Sequence, residues 1–484
     1  MSSVLLIGSE ATPFAKTGGL ADVLGALPSA LSRLGWNATL VMPRYRDIDA
    51  GIRVGYAPIT LGDYTAAVTF YEAPLRNRAR VIFVDIPELF RRAQLYVEDG
   101  RDYPDNPRRF GFLVRAALEF VALGGAKPDV VHAHDWQAAL APVYLNTMFR
   151  SHPRLGSLPS VLTIHNLAYQ GSFEPEWLTR LDLPRELLAV DGMEFWGKIS
   201  FLKGGIRDAS LVTTVSETYA REIQTPEFGF GFDGILRARS RDLVGILNGV
   251  DTEEWDPARD RFLPTPFTPG NLEGKRAAKI ALLKRYGLAT DAISLERPLI
   301  GMISRMVHQK GLDLIAALTD DLVALDAAFV VLGTGEPRYE AMWRGLAERW
   351  PDRIGANIGF DEPLAHLIEA GSDLFLMPSR FEPCGLNQMY SQRYGTLPIV
   401  RAVGGLADTI TDGEDGFSFV PDTPAALLAT IKRALETFHD SPKWRAMQAT
   451  AMSRDHSWDR SAREYVRMYE RLVALRLLRR ENGR

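Results

Sequence analysis

The sequence predicts an α/β protein built as two doubly wound halves, and three features carry that expectation. Short apolar runs alternate with helix-period segments along most of the chain, the pattern of parallel strands covered on both faces. The rhythm breaks between Asp251 and Gly270, where Pro257, Pro264, Pro266 and Pro269 leave little apolar periodicity, and then restarts, so this stretch reads as a linker. The pentapeptide Gly-Gly-Leu-Ala-Asp also occurs twice, at Gly18–Asp22 and Gly404–Asp408, each time between an apolar run and a helix-like continuation. Paired glycines admit a ligand close to the backbone, and the amides of such turns favour anions. One such loop in each half suggests two nucleotide-type halves facing a shared, phosphate-bearing ligand.

In the first half, Val4–Gly8 is a short apolar strand leading into a loop from Ser9 to Gly19. Leu20–Leu34 has helical spacing with Gly35 as its stop, and Ala38–Met42 closes a βαβ unit. Further strands are expected at Val81–Asp85, Val130–His134, Ser160–His165, Leu211–Val215 and Leu243–Leu247, with helices at Arg108–Leu123, Gln137–Phe149 and Phe195–Asp208. After the linker, strands are expected at Leu299–Ile303, Phe329–Gly333, Ile354–Phe360, Leu374–Pro378 and Leu397–Val400. The matching helices are Gly311–Leu325, Arg338–Arg349, Pro363–Ala370 and Leu386–Tyr394, and a long amphipathic pattern covers Trp458–Arg480. Domains are therefore placed at 1–250 and 251–457, with a final segment at 458–484. Two doubly wound halves place ligands outside the carboxyl ends of their strands, in the groove between the domains.

Bulk properties exclude several classes. A chain of 484 residues is too long for one ordinary core. The net charge of −4 argues against nucleic-acid binding. A single cysteine, Cys384, rules out an internal disulfide and a cysteine-based zinc cluster, and fits a reducing compartment. No uncharged apolar run reaches the roughly 18 residues of a membrane span, and Met1 to Phe14 lacks the basic region of a signal peptide. The expectation is a cytoplasmic protein without nucleic-acid or membrane partners.

The chemistry must lie in the loops. Lys16, beside Gly18 and Gly19, reads either as a point charge for a phosphate or sugar hydroxyl or as an ordinary loop lysine. Arg305 and Lys310, five apart before a helix, can both aim at one diphosphate, the arginine as a bidentate fork; otherwise they form a solvated basic loop. Gly333-Thr334-Gly335 lacks the third glycine of a dinucleotide fingerprint and marks instead a place where a flat nucleobase can lie, with Phe360 as its stacking partner or as a core residue. The run from Ser379 to Gln388 packs charge, proline and glycine between a strand and a helix. There Glu382 can bind sugar hydroxyls or stabilise an oxocarbenium ion, and the amides of Gly385, Leu386 and Asn387 favour phosphate. Cys384 has no histidine nearby in sequence and reads as a partly buried structural thiol. His132 and His134 share one strand face, but companion metal ligands are not obvious, so hydrogen bonding by Asp135 and stacking of a sugar on Trp136 rank above a metal. His165 and Asn166 end another strand of the same half. Gly270 and Gly274-Lys275 imitate a phosphate loop with the wrong spacing, and no ATPase is implied.

Together these segments closely resemble the bacterial glycogen synthases and the related plant starch synthases. The strings that carry the resemblance are Lys16–Gly25, Asp102–Phe110, His132–Ala138, Thr163–Gly171, Leu247–Asp251, Ser304–Asp313 and Ser379–Asp408, in the family's order along nearly the whole chain. The resemblance implies a GT-B glycosyltransferase with two Rossmann-like domains around a central cleft. It would move glucose from ADP-glucose to the non-reducing end of an α-1,4-glucan with retention of configuration, using no cofactor and no metal. It further implies that Lys16 and the amides of Gly18 and Gly19 hold the donor, and that Arg305 and Lys310 neutralise the leaving diphosphate. Glu382 would contact the donor glucose, Gly333 and Phe360 would face the base, and Cys384, Gly385, Leu386 and Asn387 would line the donor pocket. Asp22, Tyr96, Asp135, Trp136, His165, Asn166 and Asn248 match the sugar and acceptor side, with His165 also in a catalytic role. The last helix would cross back to brace the first domain.

One departure concerns Tyr390, which stands where many retaining GT-B enzymes carry a second glutamate. Asn387 stands where some relatives have threonine. Three competing readings remain in view: a UDP-glucose enzyme of the same fold, a phosphorylase needing pyridoxal phosphate, and a non-catalytic glucan-binding protein. A nicotinamide enzyme lacks its complete glycine fingerprint here.

Overall fold

A computed structural model describes residues 2–482 and divides them into two compact units. Unit 1 holds the chain up to Gly249 and again from Trp458, and unit 2 is Val250–Ser457.

Unit 1 is built on a nine-stranded sheet. Its strands are β1 (Ser3–Ile7), β2 (Asn37–Pro43), β3 (Ile52–Leu61), β4 (Tyr64–Pro74), β5 (Arg80–Asp85), β6 (Val130–His134), β7 (Ser160–Ile164), β8 (Leu211–Thr214) and β9 (Leu243–Gly245). The order is β9-β8-β7-β6-β1-β2-β5-β4-β3, parallel except that β4 runs antiparallel to both β3 and β5. The chain winds outward from β1 to β2, then returns to the other side of β1 with β6, so the topological switch lies between β1 and β6. The central strands are largely apolar and buried along most of their length, as a sheet covered on both faces requires. The β3–β4 hairpin was not anticipated: its alternation of exposed and buried residues is the period-2 signature of an edge with one wet face.

Unit 2 is built on an all-parallel six-stranded sheet: β10 (Leu299–Ile303), β11 (Ala328–Gly333), β12 (Ile354–Ile358), β13 (Leu374–Met377), β14 (Leu397–Arg401) and β15 (Phe417–Phe419). The order β12-β11-β10-β13-β14-β15 places its switch between β10 and β13. The core on one face centres on Trp343, Leu312, Ile315 and Ile431, and on the other on Leu282, Ile368, Phe375 and Leu406.

Four sequence expectations need correction. The helix expected at Phe195–Asp208 begins only at Phe201, because Ser200 caps it by accepting the Lys203 amide; the preceding residues form a hairpin, Glu194–Phe195 against Lys198–Ser200. Gln137–Phe149 and Gly311–Leu325 each break into two short helices. The stretch read as a linker is instead part of unit 2. Trp255 is sandwiched between His366 and Tyr390 at ring separations of 3.8 and 3.9 Å, and Asp260 bonds the buried His366 at 2.7 Å. That packing also gives Tyr390 its place, with its ring against Trp255. Lys275 of the phosphate-loop look-alike is buried in a helix, with Nζ donating to the carbonyls of Ala370 and Ser372 and to Thr396 Oγ1.

The long helix Trp458–Asn482 belongs to unit 1. Arg33 Nε donates to Asp459 at 2.8 Å, and Tyr469 packs on Trp36 and reaches His132 of β6, hydroxyl to Nδ1, at 2.6 Å.

Candidate active site

The switch point of unit 1 collects the carboxyl ends of β1, β6 and β7. After β1 the chain loops back so that Glu10, almost fully buried, accepts from the Thr17 amide and from Thr17 Oγ1 at 3.0 Å. Burial raises the Glu10 carboxyl above its ordinary range, and these donors, with the Gly18 amide, oppose the rise. Nothing in the sequence reading singled out Glu10. A carboxylate between an apolar strand and a glycine turn was the available signal, as it was for Glu382. Lys16 Nζ lies 2.6 Å from Asp22 Oδ1, and burial raises the Asp22 carboxyl while Lys16 lowers it. Gly18 and Gly19, at the start of the helix Gly19–Arg33, have no atom within 4 Å of where a Cβ would stand. Their small size serves open space rather than packing. Tyr96 joins this loop through Ser9, its hydroxyl 2.7 Å from Ser9 Oγ.

Asp135 follows β6 with a left-handed backbone, φ 55°, strained for a residue with a side chain. That geometry turns its carboxylate onto the end of β7, where Oδ1 accepts the His165 amide at 2.7 Å. Burial pushes the Asp135 carboxyl up to about 7, against the lowering pull of the His165 and Asn166 amides. His165 and His134 share one hydrogen bond, Nε2 to Nδ1 at 2.9 Å, and burial holds His165 down to about 3 and His134 well below its usual range. Two neutral rings therefore meet, one donating to the other. His132 has both nitrogens engaged, by Tyr469 and by Thr163 Oγ1, which makes it part of the core.

Trp136 departs from its expected role on one face, because Gly171 lies against the indole so closely that a Cβ there would sit 2.6 Å from Cε3. Phe110 and Phe173 pack around the same ring. Asn166 turns its Oδ1 onto the Ala168 amide at 3.0 Å. Asn248 is buried, and among the described residues its Oδ1 has no hydrogen-bond partner.

The switch point of unit 2 brings together the loops after β10 and β13. Lys310 Nζ lies 2.5 Å from Glu382 Oε2, and Ser379 Oγ donates to the same oxygen at 2.9 Å. Both ends of the pair are mostly buried. Arg305, on the same loop as Lys310, is exposed, and among the described residues its guanidinium reaches only Gln309 Oε1, at 3.5 Å. Gly311, at φ 71°, lets the chain turn into the next helix against the Pro378 carbonyl, where a Cβ would be 2.0 Å away. Arg380 clamps the Glu382 loop from outside, bonding Asp313 and Asp422. Cys384 is buried, and Gly385 has φ 73° in front of Leu386, which precedes the helix Asn387–Arg393. Asn387 directs its Nδ2 onto the Ile303 carbonyl at 3.0 Å, so the side chain ties this helix to β10.

Two glycine motifs also meet a packing requirement. Gly333 and Gly335 make room for the Arg305 loop: a Cβ would stand 1.9 Å from the Ser304 carbonyl oxygen and 2.4 Å from that of Met306. Phe360, 86 % exposed past the end of β12, remains an open aromatic surface next to them, with Gly359 bonded to the Gly333 carbonyl. In the second Gly-Gly-Leu-Ala-Asp copy, the Gly405 amide donates to the carbonyls of Glu382 and Pro383 at 3.1 and 3.2 Å. Added methyls at Gly404 and Gly405 would strike the Glu382 and Cys384 carbonyl oxygens. The repeat is thus an open helix start in unit 1 and, in unit 2, a cradle that shapes the Glu382 loop.

The comparisons agree with this layout. Residues 3–238 match the family described as starch synthase catalytic domain, and residues 290–449 match glycosyl transferases group 1. The glycogen synthase of Anaeromyxobacter dehalogenans (strain 2CP-C) is 48 % identical over 476 residues, covering 97 % of this chain and 99 % of its own. That of Koribacter versatilis (strain Ellin345) is 44 % identical over 482 residues, covering 98 % and 99 %. Among solved structures, the catalytic domain of starch synthase IV from Arabidopsis thaliana, bound to ADP and acarbose, superposes with a TM-score of 0.89 at 34 % identity over 98 % of this chain and 99 % of that one. On this sequence and fold evidence, the chain belongs to the glycogen synthase family of GT-B hexosyltransferases.

Proposed function

We propose that this protein transfers glucose from ADP-glucose to the non-reducing end of an α-1,4-glucan, with retention of configuration and release of ADP. The observation that carries the reading is the contact of Lys310 with Glu382 at one switch point, with Arg305 exposed on the same loop as Lys310. Cleaving the anomeric C–O bond leaves negative charge on a phosphate and positive character on the sugar. Arg305 and Lys310 answer the first, and Glu382 answers the second through the donor glucose. Binding of ADP and acarbose by the Arabidopsis starch synthase IV domain supports a nucleoside diphosphate and an oligosaccharide as ligands here.

Roles divide by unit. Unit 2 supplies the diphosphate cations, Phe360 for the base, and the Gly385–Asn387 turn. Unit 1 supplies Lys16, Gly18 and Gly19 toward the donor. Asp22, Tyr96, Asp135, His165, Asn166 and Asn248 serve toward the sugars, together with the half-buried Trp136. Neutral His165 and an Asp135 that titrates near neutrality suit hydrogen bonds to sugar hydroxyls better than ionic contacts. No cofactor or metal is assigned. A reducing, cytosolic setting fits the single buried thiol.

The deciding assay measures ADP or UDP release from ADP-glucose and UDP-glucose with glycogen as acceptor, followed by linkage analysis of the product. Release of ADP with new α-1,4 linkages supports the proposal. Binding of glycogen without nucleotide release would leave a glucan-binding protein.

A further inference from the structure

Trp196 is 85 % exposed, an unusual position for the largest apolar side chain. It sits at the tip of the hairpin Glu194–Phe195 and Lys198–Ser200, where Trp196 (φ 53°) and Gly197 (φ 78°) both occupy left-handed backbone. Two-residue turns of this kind favour Asn-Gly or Asp-Gly, because a bulky residue is strained there. Burial does not offset the strain, since the indole stands in solvent. The neighbouring Phe195 is the hairpin's anchor, packed edge-to-face on Phe232 at 4.5 Å. A second aromatic, Phe230 (φ 48°, 40 % exposed), lies alongside: Gly231, the next residue, would place a Cβ 3.6 Å from Trp196 Nε1. A third, the exposed Tyr169, lies in the loop that carries His165 and Asn166, and the next residue in that loop, Gln170, donates its Nε2 to the Phe230 carbonyl at 3.0 Å. Polar groups rim the patch, with Lys198 paired to Glu174 at 3.2 Å and Glu194 accepting the Gly197 amide at 2.8 Å.

We propose that Trp196, with Phe230 and Tyr169, is a platform for an α-1,4-glucan chain, extending acceptor binding outward from the His165–Asn166 loop. The inference rests on a glucan being the acceptor. A pyranose presents apolar C–H faces to flat rings and hydroxyls around its edge, and this patch offers rings bordered by charged and amide groups. Continuity through Gln170 lets one chain span from the loop of His165 to the hairpin tip.

Trp196→Asn is the informative variant, since asparagine suits the left-handed turn and keeps the hairpin folded. Native electrophoresis in gels containing glycogen, without donor, reads binding independently of catalysis. The expected result is a dissociation constant for glycogen raised about fivefold in Trp196→Asn, with most affinity kept in Trp196→Tyr, as loss of one aromatic contact predicts. Trp350→Ala, which removes an exposed tryptophan of unit 2, serves as the control and retains wild-type retardation. Retardation of Trp196→Asn equal to wild type overturns the platform, as does an equal loss in Trp350→Ala. A wild-type dimer that Trp196→Asn dissolves, with glycogen retardation unchanged, overturns it in favour of a contact between two copies. ADP release from ADP-glucose by the wild type separately decides the transferase reading.

Discussion

Lys310 and Glu382 lie 72 residues apart in sequence, yet Nζ and Oε2 are 2.5 Å apart, because β10 and β13 are adjacent strands on either side of the switch point. Each side chain shields the other's charge, and Ser379 fixes the shared oxygen. A donor diphosphate would offer Lys310 a second acceptor and release the carboxylate toward the sugar. Glu382→Ala is therefore expected to lower kcat by about 10²-fold or more. A double-mutant cycle with Lys310→Ala, read by urea unfolding, should show a coupling of about 1–3 kcal/mol. Additive effects would mean that the two side chains act independently.

Among the described residues Arg305 makes only a long contact, to Gln309, so its removal should leave the fold intact. Arg305→Ala is expected to cost about 3–4 kcal/mol of transition-state stabilisation, close to that of other oriented charge donors. Steady-state kinetics should place the loss in kcat, with the melting temperature within a degree or so of wild type. Near-normal turnover would remove Arg305 from leaving-group stabilisation.

The two copies of the repeated pentapeptide should respond oppositely to one added methyl. Gly19 opens a helix into empty space, so Gly19→Ala should hold or raise stability, by up to about 1 kcal/mol, while raising the KM for ADP-glucose. Gly405 has the Cys384 carbonyl oxygen 2.1 Å from a Cβ position, so Gly405→Ala should destabilise by about 1–3 kcal/mol and reduce kcat by displacing Glu382. Calorimetry paired with kinetics on both variants checks this. A kinetic defect without destabilisation at Gly405 would contradict the cradle.

This contrast shows where the sequence was legible. Apolar runs such as Leu299–Ile303 announced the parallel strands, because a strand buried on both faces is largely apolar. The loops that follow them stand out by their displaced charges, but that Lys310 and Glu382 meet is a tertiary fact. Whether a glycine yields room to a ligand or to a carbonyl oxygen is a tertiary fact, and sequence identity between the two copies hid it. Trp255 was likewise invisible inside a proline-rich stretch, since its partners His366 and Tyr390 lie more than a hundred residues away. The hairpin before Phe201 was absorbed into a helix because Ser200 was not recognised as its cap.

Asp135 should leave a pH signature. Its folded carboxyl titrates near 7, whereas the same group in the unfolded chain titrates near its ordinary value of 3.8. Between those values the folded protein holds a proton that the unfolded chain has lost, so this group's contribution to stability falls as pH rises from about 4 to 7 and is level above. Asp135→Asn cannot titrate, and the stability difference between variant and wild type should move in the variant's favour across that window. Thermal unfolding of both proteins at half-unit intervals measures it. A constant difference would mean that the carboxyl titrates in its ordinary range.

Tyr469→Phe would take from His132 a 2.6 Å partner in the core of unit 1. The expected loss is about 1–2 kcal/mol, the cost of leaving a buried ring nitrogen unmatched. Urea unfolding followed by a probe in unit 1 measures it, and an unchanged midpoint would show that the Tyr469–His132 bond adds nothing to the hold of the helix Trp458–Asn482.

Because that helix is packed into the first unit while the second intervenes in sequence, the two units cannot mature in the order in which they are translated. Residues 250–457 can complete a fold of their own on the ribosome, whereas the earlier-made half waits, with the surface around Trp36 and His132 uncovered, until Tyr469 has emerged. Interrupted synthesis would strand the N-terminal portion in a sticky, incomplete state, and the polypeptide made first would be the last to become protected.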